Sequence, residues 1–225
     1  MKHIFLTLTI VLFLGCSNDD APTNMNTASR SVADYIYDGP VGTQYFYKER
    51  TILTDTNDKT VKIFEDTTVT TILNRAYPHP NLGSCLQVEE RNISSTSADT
   101  LYYVFNENAI AYTKYKSGVN STRRLLIAPL TKGSPQDRGE SDTSMIQEIE
   151  YPISTSAGNF STVHVRAIQY YSNKVSTTIR NFYFAPNVLF CKVEIMRKRR
   201  VSSGEEILHN HYIVELFRIK KHTAK

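Results

Sequence analysis

The sequence predicts an all-β fold, an antiparallel domain of about ten strands, from three observations. The chain of 225 residues holds 14 Tyr and 10 Phe but no Trp, and aromatic and β-branched side chains suit pleated, half-buried surfaces. Apolar and polar residues alternate with a period of two along most of the chain. No stretch beyond the first 15 residues keeps the 3.6-residue period of an amphipathic helix.

The strands can be placed in order from this alternation. Residues 43–53, 59–66, 67–75 and 85–93 are expected as the opening strands, and residues 100–116 as a hairpin that turns at Asn106, Glu107 and Asn108. A strand over 123–130 precedes a polar segment over 131–143. Four strands then fill the last third, at 160–171, 174–186, 189–200 and 206–221. Only residues 29–37 and 144–150 are candidates for a helical turn.

The amino terminus has the pattern of an export signal. Lys2 and His3 precede eleven largely apolar residues, 4–14, which are too few for a membrane-spanning helix of about 20 residues but fit a signal-peptide core of about 7–15 residues. The run ends in Leu12, Leu14, Gly15 and Cys16, which resembles the lipobox of bacterial lipoproteins. The resemblance implies cleavage between Gly15 and Cys16, a diacylglycerol thioether on Cys16 and acylation, for instance by palmitate, of the new amino terminus. Two or more chains anchor a protein stably.

The residues after the cysteine suggest where in the cell envelope the protein is located. Ser17, Asn18, Asp19 and Asp20 resemble the surface-export signal of Bacteroidota lipoproteins, although a solvated acidic linker would have the same composition. The resemblance implies a lipid-anchored protein of the outer membrane, either exposed on the surface or on the periplasmic face. We therefore divide the chain into a signal peptide (1–15), a lipidated cysteine with a flexible linker (16–31) and a β-domain (32–225).

The carboxyl-terminal part carries a second resemblance. A glycine-containing start at residues 156–166 is followed two strands later by an aromatic turn, made of Tyr183, Phe184, Ala185, Pro186 and Val188. This pattern resembles uncharacterised envelope β-domains similar to the half-barrel of lipoprotein-sorting carriers, with Asn187 and Leu189 replacing the usual glycines. It implies a single, strongly curved sheet or incomplete barrel that can hold a hydrophobic ligand, but fold alone does not transfer function.

Two cysteines remain in the domain, Cys85 and Cys191. An exported chain allows a disulfide between them. The alternation places Cys191 with Val193 on a buried face but sets Cys85 opposite Leu86, which favours two separate thiols. Both alternatives stay open at this stage.

The sequence contains no catalytic or metal-binding pattern. His209 and His211 share one strand face and His164 is a third histidine, but no established ligand spacing occurs, so no metal site and no cofactor is predicted. A nucleophile elbow and a zinc-protease motif are both absent. Neighbouring acids such as Glu89 and Glu90 point to opposite faces of a strand. We therefore predict that the protein is not an enzyme.

The charge pattern favours no nucleic-acid partner. The net charge is only +4, and the basic runs at 197–200 and 220–221 are expected at opposite ends of paired strands.

Aromatic side chains are the candidates for a binding surface. Tyr103, Phe105, Phe182 and Phe184 lie in strands that a curved sheet would bring to one concave face, as the lining of an apolar cleft or simply as core. Thr67 and Thr100 stand in Asp-Thr-Thr and Asp-Thr-Leu triplets, which resemble the O-glycosylation sequon of Bacteroidota envelope proteins.

These observations favour a lipid-anchored envelope protein with a non-enzymatic binding or accessory role. The alternatives are a carrier or chaperone for lipid or lipoprotein, which predicts an open apolar cavity, and a structural or assembly partner in an outer-membrane complex, which predicts a filled core and an exposed apolar patch. The expected partners are the membrane, through the lipid anchor, and a hydrophobic ligand or an envelope protein.

Overall fold

The computed structural model of the chain describes residues 30–55, 59–114, 122–136, 143–171, 176–200, 204 and 206–222. The predicted signal peptide, the lipidation site Cys16 and the predicted export signal at 17–20 lie outside these residues. Within the described part of the chain, no helical segment has the length and apolar character needed to cross a bilayer.

The described residues form one short 3-10 helix and eleven β-strands. The helix is Val32–Tyr35, and the strands are β1 (Gln44–Thr54), β2 (Thr60–His79), β3 (Gly83–Asn92), β4 (Ala98–Phe105), β5 (Ala109–Lys114), β6 (Thr122–Ile127), β7 (Thr143–Thr155), β8 (Gly158–Tyr170), β9 (Ser176–Ala185), β10 (Leu189–Arg200) and β11 (Glu206–Lys220). The predicted all-β fold is confirmed.

All eleven strands belong to one strongly curled antiparallel sheet, a half-barrel, in the order β6-β5-β4-β3-β2-β1-β11-β10-β9-β8-β7. The chain builds it as two meanders, β1–β6 and β7–β11, which meet where β1 pairs with β11. The predicted curvature and the predicted hairpin of β4 and β5 are both present. In its turn, Asn106 Oδ1 accepts hydrogen bonds from the backbone N–H groups of Asn108 and Ala109.

Two sequence predictions were wrong in detail. The predicted strands at 59–66 and 67–75 belong to one strand of 20 residues, β2. No glycine, proline or asparagine stands at the boundary between the two predicted strands to break the pairing. Residues 144–150 belong to β7 rather than to a helical turn. The spacing of their apolar residues fits the period of a helix as well as that of a strand. Antiparallel pairing with β8 makes this segment a strand.

A hydrophobic core covers one face of the sheet, which we call the inner face. The segment before β1 packs against this face, with Val32, Tyr35 and Tyr37 all at most 3% exposed. The helix begins with a capping box in which Ser31 and Asp34 satisfy each other's backbone N–H groups. Backbone hydrogen bonds between Asp34, Asp38 and Asn187 tie the segment to the β9–β10 turn. The half-barrel is thus filled at this end by its own amino-terminal segment.

A short segment after β6 links the two edges of the sheet. The side-chain amide of Gln136 accepts from the Ile127 N–H (2.7 Å) and donates to the Ile127 carbonyl (2.8 Å), both on β6. Its backbone N–H donates to Ser144 of β7. Gln136 is 1% exposed, so a buried side chain supplies the hydrogen bonds that a neighbouring strand would otherwise make to this part of β6.

Candidate functional site

The inner face changes from apolar to polar along the strands that surround β1. Directly paired residues share a face, so the register defines the inner-face positions. From the β9–β10 end outward, β1 presents Tyr45, Tyr47 and Glu49. In the same direction β3 presents Leu86, Val88 and Glu90, β4 presents Tyr103, Leu101 and Asp99, and β11 presents Leu216, Val214 and Tyr212. One end of the inner face is therefore aromatic and filled, and the opposite end is polar.

A cavity of about 170 Å³ lies between these two regions, and we call it the inner cavity. Its apolar side is formed by Tyr37, Tyr47, Phe190, Val193 and Val214. Its polar side is formed by Glu49, Thr68, Thr70, Glu90, Lys192 and Tyr212. Because Tyr37 belongs to the amino-terminal segment, that segment closes one side of the cavity.

The inner cavity continues into a wider polar depression of about 340 Å³, which we call the mouth. The two share Glu49, Thr68, Glu90 and Tyr212, and the mouth adds Asn92, Ser95, Ser97, Asp99 and Lys114. A ligand that enters by the mouth would therefore meet polar groups first and aromatic groups deeper in.

Glu49 is held by its neighbours. The Thr68 hydroxyl donates to Glu49, and the Asn92 side-chain amide lies 2.5 Å from the same hydroxyl oxygen. The Asn92 atom in this contact is the amide oxygen Oδ1, so the one proton of the Thr68 hydroxyl is shared between two acceptors, Glu49 and Asn92. Burial, and next the negative charge of Glu49, raise the pKa of Tyr212, so this phenol stays protonated as a donor.

Glu90 differs from Glu49, because among the described residues it has no hydrogen bond and no ion pair. Burial raises the pKa of its carboxyl group to about 7. Lys114 opposes this shift, whereas Asp99 and Glu49 add to it. The Lys114 ammonium itself bonds to Asp99 at 2.6 Å, so the one described cation at the mouth is already paired with another acid.

The aromatic residues predicted as a cleft lie beside the cavity rather than in its lining. Tyr103, Phe182 and Phe184 are buried in the core, at 3%, 8% and 0% exposure, and Phe105 packs against them half-buried. Tyr103 makes an edge contact with Tyr37 at 5.9 Å, whereas Phe182 and Phe184 pack with Phe190. They thus support Tyr37 and Phe190, which do line the cavity.

None of the three predicted histidines lines the cavity or the mouth. His164 stacks on Tyr183 at 4.6 Å on the outer face, and its Nε2 lies 3.1 Å from Asn181 Oδ1. His211 lies 3.5 Å from Glu194, which also contacts Lys192 at 3.3 Å. His209 is exposed. The described residues contain no group of three histidine, cysteine or acidic side chains placed to hold a metal ion.

The cysteines are two separate buried thiols. Cys85 and Cys191 are 2% and 0% exposed and free, and each lies near a backbone carbonyl of its partner strand, that of Tyr77 or Tyr183. Burial raises the pKa of Cys191 to about 12. These thiols are protonated and inaccessible, which argues against a reactive role.

The remaining predicted sites lie on other surfaces. Thr67 is half-buried in β2, and Thr100 is half-buried opposite Glu89, on the outer face of β4. The basic run of β10 ends at Arg200 opposite Glu206, whereas Lys220 pairs with Gln44 at the other end of the sheet. The predicted separation of the two basic runs is confirmed.

Sequence reasoning missed the residues that line the cavity. Glu90 follows Leu86 and Val88 with the same alternation, so an acid occupies a position that the pattern assigns to the buried face. Glu49 follows Tyr45 and Tyr47 in the same way. A charged residue that continues an apolar face was the available signal.

Comparison with solved structures identifies the fold as YmcC-like. A protein described as exported, with a YmcC-like fold, from Bacteroides fragilis is similar over 83% of this chain and 99% of its own, with 14% identity and a TM-score of 0.51. A protein described as a lipoprotein from Parabacteroides distasonis aligns over 82% of this chain and 97% of its own, with 12% identity and a TM-score of 0.44. No family model and no curated protein matches the sequence.

Proposed function

We propose that this chain is a lipid-anchored envelope protein that binds a small ligand in the inner cavity and is not an enzyme. The observation that carries the binding role is the unpaired Glu90 carboxyl group, which faces an open cavity with an aromatic interior. Pockets that combine an apolar lining with a few polar groups are typical ligand sites. Glu49, the other acid of the cavity, is engaged by Thr68 and Tyr212, which supports recognition rather than nucleophilic attack.

Anchoring through Cys16 is supported by the lipobox and is consistent with the fold. We expect Cys16→Ala to remain unacylated and to leave the membrane fraction, whereas the neighbouring Ser17→Ala should stay membrane-bound. Mass spectrometry of the amino-terminal peptide and cell fractionation measure the two effects. Membrane retention of Cys16→Ala would contradict the anchor. Digestion of intact cells by an added protease then separates surface exposure from a periplasmic location.

The binding role is tested by filling the cavity. Val214 lines the cavity, and Val214→Phe should occupy its apolar part. Native mass spectrometry of the full chain should find a small molecule on the unaltered protein and none on this variant. Val41 is 50% exposed, so Val41→Phe is the matched control. Equal ligand occupancy in both variants would contradict binding in the inner cavity.

The carrier alternative has less support. An acyl chain needs a long apolar cavity, but Tyr37, Tyr45 and Tyr103 fill the aromatic end of the inner face. The remaining volume of about 170 Å³ lies below the roughly 300–1,000 Å³ of typical ligand pockets. A compact ligand therefore fits better than a lipid tail.

A second candidate function is assembly with a protein partner through β2. Strand β3 pairs with β2 only from Thr68 onward, so among the described residues the first part of β2 pairs with β1 alone. Val61, Ile63 and Phe64 are 68%, 45% and 45% exposed there. An exposed apolar strand edge is a common site for strand addition. A photo-crosslinker at Val61 should then capture a partner in cells, and one at Tyr170 should not.

A further inference from the structure

We infer that the inner cavity recognises a cationic group, an ammonium or a guanidinium, carried by one ring or a short apolar stem. The inference rests on the proposed binding function and specifies its ligand class. It follows from the size of the cavity, the unbalanced charge at its mouth and the aromatic surfaces between them.

The size of the apolar part fits one ring. A dry engineered cavity of about 150 Å³ accepts a benzene molecule, and the inner cavity measures about 170 Å³. Phe190, Val193 and Val214 form an apolar surface for such a ring. Larger apolar groups would displace Tyr37, which is buried and packed on Tyr45 at 4.7 Å.

The charge at the polar side is unbalanced. Glu49, Glu90 and Asp99 face Lys114, and Lys114 is paired with Asp99. Lys192, which also belongs to the polar side of the cavity, is paired with Glu194 at 3.3 Å. Within the described residues, neither Glu49 nor Glu90 has a cation in contact. A bound cation would supply the missing countercharge in a partly desolvated place, where such an interaction is strongest.

The walls between the ring position and the acids are aromatic. Tyr37 and Tyr47 line the cavity and Tyr212 stands at its junction with the mouth. Aromatic faces attract cations, whereas an anion would meet Glu49 and Glu90, neither of which contacts a cation among the described residues. The same surfaces therefore favour a cationic ligand over an anionic one of equal shape.

Ligand affinity should depend on pH through Glu90. The charged groups that act on it are Lys114 of β5, Asp99 of β4 and Glu49 of β1. The tyrosines whose pKa values are affected by the charge of Glu90 are Tyr37, Tyr47, Tyr103 and Tyr212. Burial raises the pKa of each of these tyrosines above its usual value of 10, so they remain neutral below pH 8. Glu90 changes charge near neutrality, and the cation should bind its ionised form.

The test is a ligand-observed NMR titration of the full chain in nonionic detergent with three probes of one shape: benzylammonium, benzyl alcohol and benzoate. At pH 8 we expect benzylammonium to bind at least tenfold more tightly than benzyl alcohol, and benzoate not to bind. With the pKa of Glu90 at about 7, benzylammonium affinity should fall roughly 10- to 30-fold at pH 5.5, since only a few per cent of the carboxyl group is then ionised. Benzyl alcohol affinity should not change.

Two substitutions on β3 test whether the preference for a cation arises in the inner cavity. Glu90→Gln should weaken benzylammonium roughly 10- to 100-fold, the range for a lost bond to a charged group, and leave benzyl alcohol unchanged. Glu89→Gln, on the outer face of the same strand, should change neither. A capped Lys-Phe dipeptide tests whether the cationic group belongs to a peptide or to a free small amine. Tighter binding than benzylammonium indicates a peptide, and weaker binding indicates a free amine. Both results support cation recognition.

Three results would overturn the inference in distinguishable ways. If benzyl alcohol binds as tightly as benzylammonium, with both lost in Val214→Phe, the cavity binds ligands but does not recognise cations. If no probe binds the unaltered protein, the proposed binding function fails as well. If Glu90→Gln binds benzylammonium as tightly as the unaltered protein does, the inference that the cavity recognises a cation through Glu90 is refuted.

Discussion

The pKa of Glu90 predicts how the stability of the protein varies with pH. The folded protein holds the carboxyl proton more tightly than the unfolded chain does, because the pKa rises from 4.5 to about 7 on folding. The folded state therefore binds more protons between these values, and its free energy of unfolding falls as pH rises through that window. At about 1.36 kcal/mol per pKa unit, the cost of ionising Glu90 in the fold is on the order of 3 kcal/mol above pH 7.

Glu90→Gln removes this cost, because the amide stays neutral at every pH and matches the protonated acid in shape. Relative to the unaltered protein, the variant should gain about 3 kcal/mol of unfolding free energy between pH 4 and pH 8, with little difference at the acidic end. Urea unfolding at several pH values measures this, and the difference between the two proteins cancels the contributions of other titrating groups. Glu89→Gln is the control on the same strand. Parallel stability profiles for Glu90→Gln and the unaltered protein would refute a raised pKa at Glu90.

Two further predictions concern the interior. Gln136→Leu should lower the unfolding free energy by about 2–4 kcal/mol, because it leaves the N–H and C=O of Ile127 without their buried partner. Urea unfolding measures this effect, and Gln147→Leu on β7 is the control. Equal stabilities of the two variants would contradict the role of Gln136. Cys85 and Cys191 should give the same electrophoretic mobility in reduced and oxidised samples and should react with a thiol reagent only after unfolding. A mobility shift, or rapid labelling of the native protein, would show that the thiols are closer or more accessible than described.

The sequence predicts the strands well because alternation is local. The β4–β5 hairpin follows from its apolar arms and from Asn106, whose side chain bonds to the turn backbone. The division of β2 was mispredicted because its polar residues 66–68 resemble a turn in composition. In the fold, Thr68 is instead held by Glu49 and Asn92 from the two neighbouring strands, contacts that no local pattern contains.

The site was less predictable, for a related reason. Glu49 and Glu90 lie 41 positions apart in the chain, and only the β1–β2–β3 register brings both to one cavity. Tyr37 comes from a segment outside the sheet, and its position depends on hydrogen bonds to Asn187, far away in sequence. Long-range register and the packing of a non-strand segment are not encoded in residue spacing.

The course of the amino-terminal segment determines which end of the domain the preceding linker joins. The segment is fastened at the β9–β10 turn through Asp34 and Asp38, whereas the mouth opens at the opposite end, beside Ser95 and Ser97. A linker to the proposed anchor would therefore join the domain at its aromatic end, opposite the mouth. In the binding function proposed above, the ligand would therefore enter at the end of the domain that lies opposite this attachment point.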